Sequence, residues 1–279
     1  MISIVKDYIT QNKRLVLDVF IISNFAFLSL DILYAHAING FSHWCEWIPL
    51  YFSIFAAVVL FTDHYILKRD KSWVNPFISI CSIFIGALGL GLHLESQFFQ
   101  DFNLKALVYT APLVAPLSYT ALGLLLLVNR YVRSKDGLWG NWIIFFAYVG
   151  QLGNYLLALC DHAQNGFYFW TEWIPVVTSS LLLAIMPYFI HAKVSRRWKK
   201  FVFTSVFIQA FVGVLGFLFH LYAIFVKSNS EIPLVERVLF GAPIMAPLLI
   251  TNLCVLMLIG MVVYDHQVAR ECVASDNSL

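Results

Sequence analysis

Four histidines and two glutamates recur at matched positions in an otherwise apolar chain. Residues 36–49 read H-A-I-N-G-F-S-H-W-C-E-W-I-P and residues 162–175 read H-A-Q-N-G-F-Y-F-W-T-E-W-I-P. At an offset of 126, His36 matches His162 and Glu46 matches Glu172, with ten identities in fourteen positions. His93 matches His220 at an offset of 127, each a few residues after a G-x-x-G element, Gly86/Gly89 and Gly213/Gly216. Paired imidazoles suit axial ligation of haem b, and two imidazoles with a carboxylate suit non-haem iron or copper. Glu46 and Glu172 can also serve as proton donors or, more plainly, as charges favoured at helix N-termini. The four histidines can equally hydrogen-bond across the two copies or bind a substrate.

The elements that position these groups follow from composition. Of the 279 residues, 60% are hydrophobic and 12% charged, whereas a soluble domain carries about 25% charged residues. The chain therefore reads as an all-α integral membrane protein. Eight apolar stretches approach the roughly 20 residues that a spanning helix needs: 14–37, 46–67, 74–98, 106–129, 140–163, 172–192, 199–226 and 238–264. Backbone in lipid must satisfy its own hydrogen bonds, so each stretch is expected to be a helix. The first stretch has no small-x-small cleavage site and reads as a span, not a signal peptide. All of the 18 Lys and Arg residues except Lys105, Lys227 and Arg237 lie on one side of this arrangement. The positive-inside rule places that side, with the N- and C-termini, in the cytoplasm. These basic residues mark topology and do not suggest nucleic acid.

The duplication runs beyond the first motif. Ala111-Pro112-Leu113-Val114-Ala115-Pro116 recurs as Ala242-Pro243-Ile244-Met245-Ala246-Pro247 at an offset of 131. The unit is four spans, giving a first repeat over residues 1–135 and a second over 136–279. Four is even, so the repeats enter the membrane from the same side and are parallel. The expectation is two four-helix bundles side by side, or one eight-helix bundle with pseudo-twofold symmetry. A charged link around residues 130–140 joins them. Residues 2–12 read as an amphipathic segment on the inner surface, and the tail from about Arg270 as disordered.

This topology brings His36, His93, His162, His220, Glu46 and Glu172 to the non-cytoplasmic face. Asp31, Glu95 and Asp161 lie nearby without counterparts, which makes the two half-sites unequal. Asn39-Gly40 reads as a turn in which both residues tolerate positive φ. Trp44, Trp47, Trp170 and Trp173 read as an interfacial aromatic belt. Each A-P-x-x-A-P element reads as a kinked or re-entrant helix start, or as a source of freed carbonyls lining a cavity. The G-x-x-G elements read as close helix packing or as room for a flat ligand. Cys45 and Cys160 read as small buried residues, with pairing as the alternative. His64, His191 and His266 read as a solvated boundary at the cytoplasmic ends, or as a second ligand set.

Spans 1 and 3 of an up-down bundle are diagonal partners, so His36 can face His93 and His162 can face His220. Alternatively, all four histidines meet on the pseudo-twofold axis. The plan of two four-helix units with two histidines each is similar in outline to haem A synthase, whose short motifs do not occur here and whose histidines fall on other spans. Walker and dinucleotide glycine motifs and the H-x-x-x-H pattern do not occur. The expected function is a membrane redox protein that binds haem b, non-haem iron or copper near the outer face. A quinone or other hydrophobic substrate would enter from the bilayer. The alternative is a carrier for an ion or small solute with a pseudo-twofold polar vestibule.

Overall fold

The computed structural model describes residues 2–69, 72–132, 138–191, 195–227 and 231–276, and these are helical with no strand. The helices are α1 (Ile2–Gln11), α2 (Lys13–Ala37), α3 (Trp47–Phe61), α4 (Val74–Glu95), α5 (Leu104–Tyr109) and α6 (Leu117–Tyr131), then α7 (Leu138–Gln164), α8 (Trp173–His191), α9 (Arg196–Tyr222), α10 (Leu234–Phe240) and α11 (Ala246–Asp276). A π turn over Thr62–Ile66 extends α3, and another over Ala223–Lys227 extends α9. Seven helices among the described residues are long and apolar enough to cross a membrane. Large apolar side chains such as Phe84, Ile80, Val177 and Phe211 stand exposed on their outer faces, as lipid-facing residues do.

The expected fourth span at 106–129 is where the structure departs from the sequence reading. Helix α5 ends at Tyr109 and α6 begins only at Leu117, leaving 15 helical residues. At 1.5 Å per residue α6 covers about 22 Å, short of a hydrocarbon core of about 30 Å. The physical cause is Pro112 and Pro116, which cannot donate to a helical ladder. The matched region behaves alike: α10 ends at Phe240 and α11 resumes at Ala246. The expected disordered tail is also corrected, because α11 continues to Asp276. Helix α1 forms as expected and packs on α11 and α2. The expected link at 130–140 falls partly on residues 133–137, outside the described residues.

Each long helix packs on its neighbours in a ring. Helix α2 touches α3 and α6, and α4 touches α6 and α3. Likewise α7 touches α8 and α11, and α9 touches α11 and α8. Diagonal partners are therefore α2 with α4 and α7 with α9. The rings meet where α6 lies on α7 and where α11 lies on α2. Asn24 of α2 and Asn252 of α11 exchange side-chain hydrogen bonds across this seam. Tyr34 donates to the Val238 carbonyl, and Gln164 Nε2 donates to the Val108 carbonyl at 2.7 Å.

The glycine pairs are packing devices. A methyl group on Gly86 would meet the Thr120 hydroxyl, lie 2.7 Å from the Thr120 nitrogen and 2.8 Å from the Pro116 carbonyl. One on Gly213 would meet the Thr251 hydroxyl and lie 2.8 Å from the Pro247 carbonyl. Gly89 and Gly216 press against the Pro116 and Pro247 rings. This space is filled by protein, so the flat-ligand reading of these glycines is withdrawn. Gly86→Ala and Gly213→Ala are each expected to destabilise the fold by about 1–3 kcal/mol through overpacking. Thermal melting in detergent would read this loss, and Gly91→Ala, which faces open space, is the control expected to melt like the parent.

Candidate functional site

The N-G-F link fixes the end of α2. Gly40 and Phe41 adopt positive φ of 63° and 51°, and Gly166 and Phe167 adopt 65° and 50°. The turn thus uses Gly-Phe, not the Asn-Gly expected from the sequence. A left-handed phenylalanine is unfavourable on its own. Here the Phe41 amide donates to the His36 carbonyl at 3.1 Å and that of Phe167 to His162 at 2.9 Å, the 6→1 closure of a Schellman-type helix end. Phe41 stacks on Trp47 with ring centroids 4.1 Å apart, and Phe167 stacks on Trp173 at 3.9 Å. Trp47 and Trp173 thereby clamp the links, while Trp44 and Trp170 stand exposed as interfacial anchors.

The clamp brings each glutamate beside a histidine. Glu46 Oε2 lies 3.4 Å from His36 Nδ1, and Glu172 Oε2 lies 3.9 Å from His162 Nδ1. Glu46 stands at the N-cap of α3 but makes no capping hydrogen bond with its side chain. Both Oε2 atoms are buried without a hydrogen-bond partner. Glu46 therefore sits where a helix N-terminus favours its charge, without a side-chain capping bond, and at each site the Oε2 atom has a histidine beside it and no hydrogen bond.

The broken helix starts supply the opposite wall. His93 Nδ1 lies 2.9 Å from the Pro112 carbonyl and His220 Nδ1 lies 2.7 Å from the Pro243 carbonyl. A carbonyl only accepts, so in both rings Nδ1 carries the hydrogen and Nε2 keeps its lone pair. Thr110 and Ser96 both donate to the His93 carbonyl at 2.7 Å, sewing the break to the end of α4. The His36 and His93 rings stand 6.4 Å apart between centroids at an interplanar angle of 69°. Glu46 lies within electrostatic reach of His93, and Glu172 within reach of both His162 and His220. The diagonal pairs expected from the sequence are therefore brought together as two separate His–Glu–His groups, one in each ring. Among the described residues, no three His, Cys, Asp or Glu side chains converge to metal-binding distance.

The two sites differ in depth. A cavity of about 660 Å³ opens beneath His162, Glu172 and His220 and is walled by Asp161, Phe219 and Asn154. Below its floor lie Gln151, Ser179 and Gln209, all buried. In the first ring Gln151 is matched by Phe25, and Ser179 and Gln209 by Ser53 and Ser82. Phe25, Phe52 and Tyr119 pack with centroids 6.0–6.3 Å apart. The Tyr119 hydroxyl donates to the Pro49 carbonyl at 2.7 Å and is shared with Ser53. Motif comparison does not single out Gln151, Asn154 or Gln209, because none is duplicated. The signal available is a lone amide side chain in mid-span.

The remaining sequence readings resolve as follows. Cys45, Cys81, Cys160 and Cys254 are free thiols, so Cys45 and Cys160 are not paired. His64 is not a solvated boundary residue. Its side chain is buried, 2.8 Å from Arg130 Nη2 and 2.9 Å from Asn75 Oδ1. Arg130 in turn donates to Asp18 at 2.8 Å, and Asn129 donates to Asp18 at 2.7 Å. Asp63, on the π turn beside His64, is buried with both carboxylate oxygens unpartnered. His266 is half-buried, and the His191 side chain lies outside the described residues. Truncating Asp18 would strand a buried guanidinium, so Asp18→Ala is expected to destabilise by about 3 kcal/mol. The more exposed Lys199–Asp265 pair is the contrast: Lys199→Ala should cost under about 1 kcal/mol, both read by thermal melting.

No family model, no curated protein and no solved structure matches the chain.

Proposed function

We propose that this chain is a multi-pass membrane redox protein that holds an iron or copper ion at each His–Glu–His group, near the non-cytoplasmic face. The carrying observation is the disposition of the imidazole nitrogens. His93 and His220 give Nδ1 to a backbone carbonyl, and His36 and His162 turn Nδ1 toward a carboxylate. No hydrogen bond occupies any of the four Nε2 atoms among the described residues. Metal-ligating histidines use this arrangement, one nitrogen held by an acceptor and the other free for the ion. With metal–N bonds of about 2.0–2.1 Å, two imidazoles on one ion have ring centroids roughly 5–6.5 Å apart. The His36–His93 spacing of 6.4 Å falls within that range. The unsatisfied Glu46 and Glu172 oxygens supply an anionic third ligand or a proton acceptor.

In this reading the ion replaces haem. Protein atoms fill the glycine faces of α4 and α9 that would admit a porphyrin. The reading includes eight crossings by two parallel four-helix units, both termini cytoplasmic. Helix α6 is completed as a crossing by α5 and the irregular residues between them, a break tolerated at membrane depth where protein surrounds it. Its support is the shared ring packing and the paired geometries at Pro112 and Pro243. A hydrophobic substrate would reach the site from the bilayer. A solute carrier is the second reading, favoured by the cavity under His162 and His220. It requires an inward path, and Gln151, Ser179 and Gln209 are buried one turn deeper than the lining residues.

Elemental analysis of nanodisc-embedded protein after incubation with ferrous or cuprous ion tests the proposal. Two ions per chain are expected, one after His93→Ala or His220→Ala, and none in the double variant. Folded protein that takes up neither metal would defeat the reading. An intense porphyrin absorption band would replace the ion with haem, and liposomal solute uptake that survives both substitutions would favour the carrier.

A further inference from the structure

The cavity in the second ring is lined by Asn154, and one helical turn from its lining residues Asn154 and Val212 lie Gln151 and Gln209, whose amides the fold also leaves unsatisfied. Gln151 lies one turn deeper on the same face of α7, since residues three apart are helix neighbours. Gln151 Nε2 and Gln209 Nε2 both donate to the Ser179 hydroxyl, at 3.2 and 2.7 Å. This joins α7, α8 and α9 at one point. Their other halves have nothing to bind: Gln151 Oε1, Gln209 Oε1 and Asn154 Nδ2 are buried without partners. Relative exposure is 0% for Gln151, 1% for Gln209 and 4% for Asn154. A buried amide group left unpaired costs about 1–3 kcal/mol.

The first ring shows what the same positions look like when closed. At the same offsets, Gln151 corresponds to Phe25, Asn154 to Leu28, Gln209 to Ser82 and the cavity-lining Ile250 to Tyr119. There, Phe25 and Tyr119 plug the bundle and Ser82 donates to the Tyr119 carbonyl at 2.7 Å, so the polar groups are satisfied within the protein. In the second ring the plug is missing and the polar groups remain.

We infer that the cavity beneath His162 and His220 binds a lipid-soluble quinol or quinone, one ring oxygen of which is taken by Asn154. The free Asn154 N–H calls for an oxygen acceptor, which a quinone carbonyl supplies. An amide turned over presents its oxygen instead, so Asn154 also receives the hydroxyl of the quinol form. The rest of the wall, including Leu157, Leu215, Phe219 and Ile250, is apolar and suits the ring and the start of an isoprenoid tail. Eight residues of α7 separate Asn154 from His162, about 12 Å along the axis. That leaves room for one ring between Asn154 and the histidines. Lys227, stacked over Phe169 at 3.8 Å among the cavity-lining residues, places a cation at the outer mouth. The substrate class rests on the redox reading, whereas the site rests on the cavity and its amides.

The test is saturable binding of a short-chain benzoquinol to nanodisc-embedded protein stripped of metal by chelation. Asn154→Leu and Gln151→Phe install the first-ring residues and are each expected to weaken binding at least about tenfold. Gly91→Ala, in the first ring and facing open space, should leave metal-free binding within about threefold of the parent. Photolabelling of the unmodified protein with an azido-benzoquinone covers the case in which a variant fails to fold. Label on residues 150–158, 175–183 or 205–213, displaced by excess benzoquinol, upholds the inference. Non-saturable labelling, label confined to other segments, or undiminished affinity in folded Asn154→Leu overturns it. Failure of metal uptake with intact quinol binding would remove the redox reading alone.

Discussion

A hydrogen bond between a histidine and a prolyl carbonyl organises each end of this molecule. Proline cannot donate to a helix, so α6 and α11 each begin late. The residues before them are left with carbonyls that have no helical partner. In an apolar solvent such groups must be satisfied by protein. Pro112 and Pro243 meet this demand with His93 and His220. The glycines two and one turns earlier on α4 and α9 let the Pro116 and Pro247 backbones come close enough for that bond to form. The break, the glycine face and the histidine tautomer are thus one structural unit.

The second constraint is the N-G-F link. Holding phenylalanine at positive φ is unfavourable by about 1–3 kcal/mol, and it persists because Trp47 or Trp173 stacks on it and the helix-end carbonyl accepts its amide. The consequence is that the histidine ending one helix and the glutamate beginning the next lie together. Both the histidine and the glutamate are therefore borne on helix ends that the stacked, hydrogen-bonded link fixes in place.

Much of this was legible in the sequence, and the limits have physical causes. Duplicated residues are visible without coordinates, so His36, His93, His162, His220, Glu46 and Glu172 could be named, and the up-down order made their diagonal pairing foreseeable. The 106–129 stretch misled because hydropathy reports burial in lipid, not helical continuity, and the prolines decide the latter. His64 misled in another way. Its partners Asp18 and Arg130 lie 46 and 66 residues away, so a residue that looked like a boundary charge is part of a buried ion network. Of the Gln151–Ser179–Gln209 group, which joins three helices, only Ser179 has an identical counterpart at the repeat offset, Ser53.

The orphaned polar atoms bring these features under one argument. Glu46 Oε2, Glu172 Oε2, Gln151 Oε1, Gln209 Oε1 and Asn154 Nδ2 are all buried and unpartnered, and each such atom is destabilising by about 1–3 kcal/mol. Other buried polar groups find partners within the chain, as with Tyr119 between Pro49 and Ser53, while both Asp63 oxygens, Asn129 Oδ1 and both Gln267 amide atoms are also buried without a hydrogen bond. What sets the five apart is their position, two carboxylate oxygens beside paired histidines and three amide atoms at or next to the cavity. Two of the five sit beside imidazoles and suit a cation. Asn154 lines an apolar cavity, and Gln151 and Gln209 lie one turn from its lining residues Asn154 and Val212. In the first ring Phe25 stands in place of Gln151, and Ser82, in place of Gln209, donates to the Tyr119 carbonyl, so that bundle closes where the second one opens.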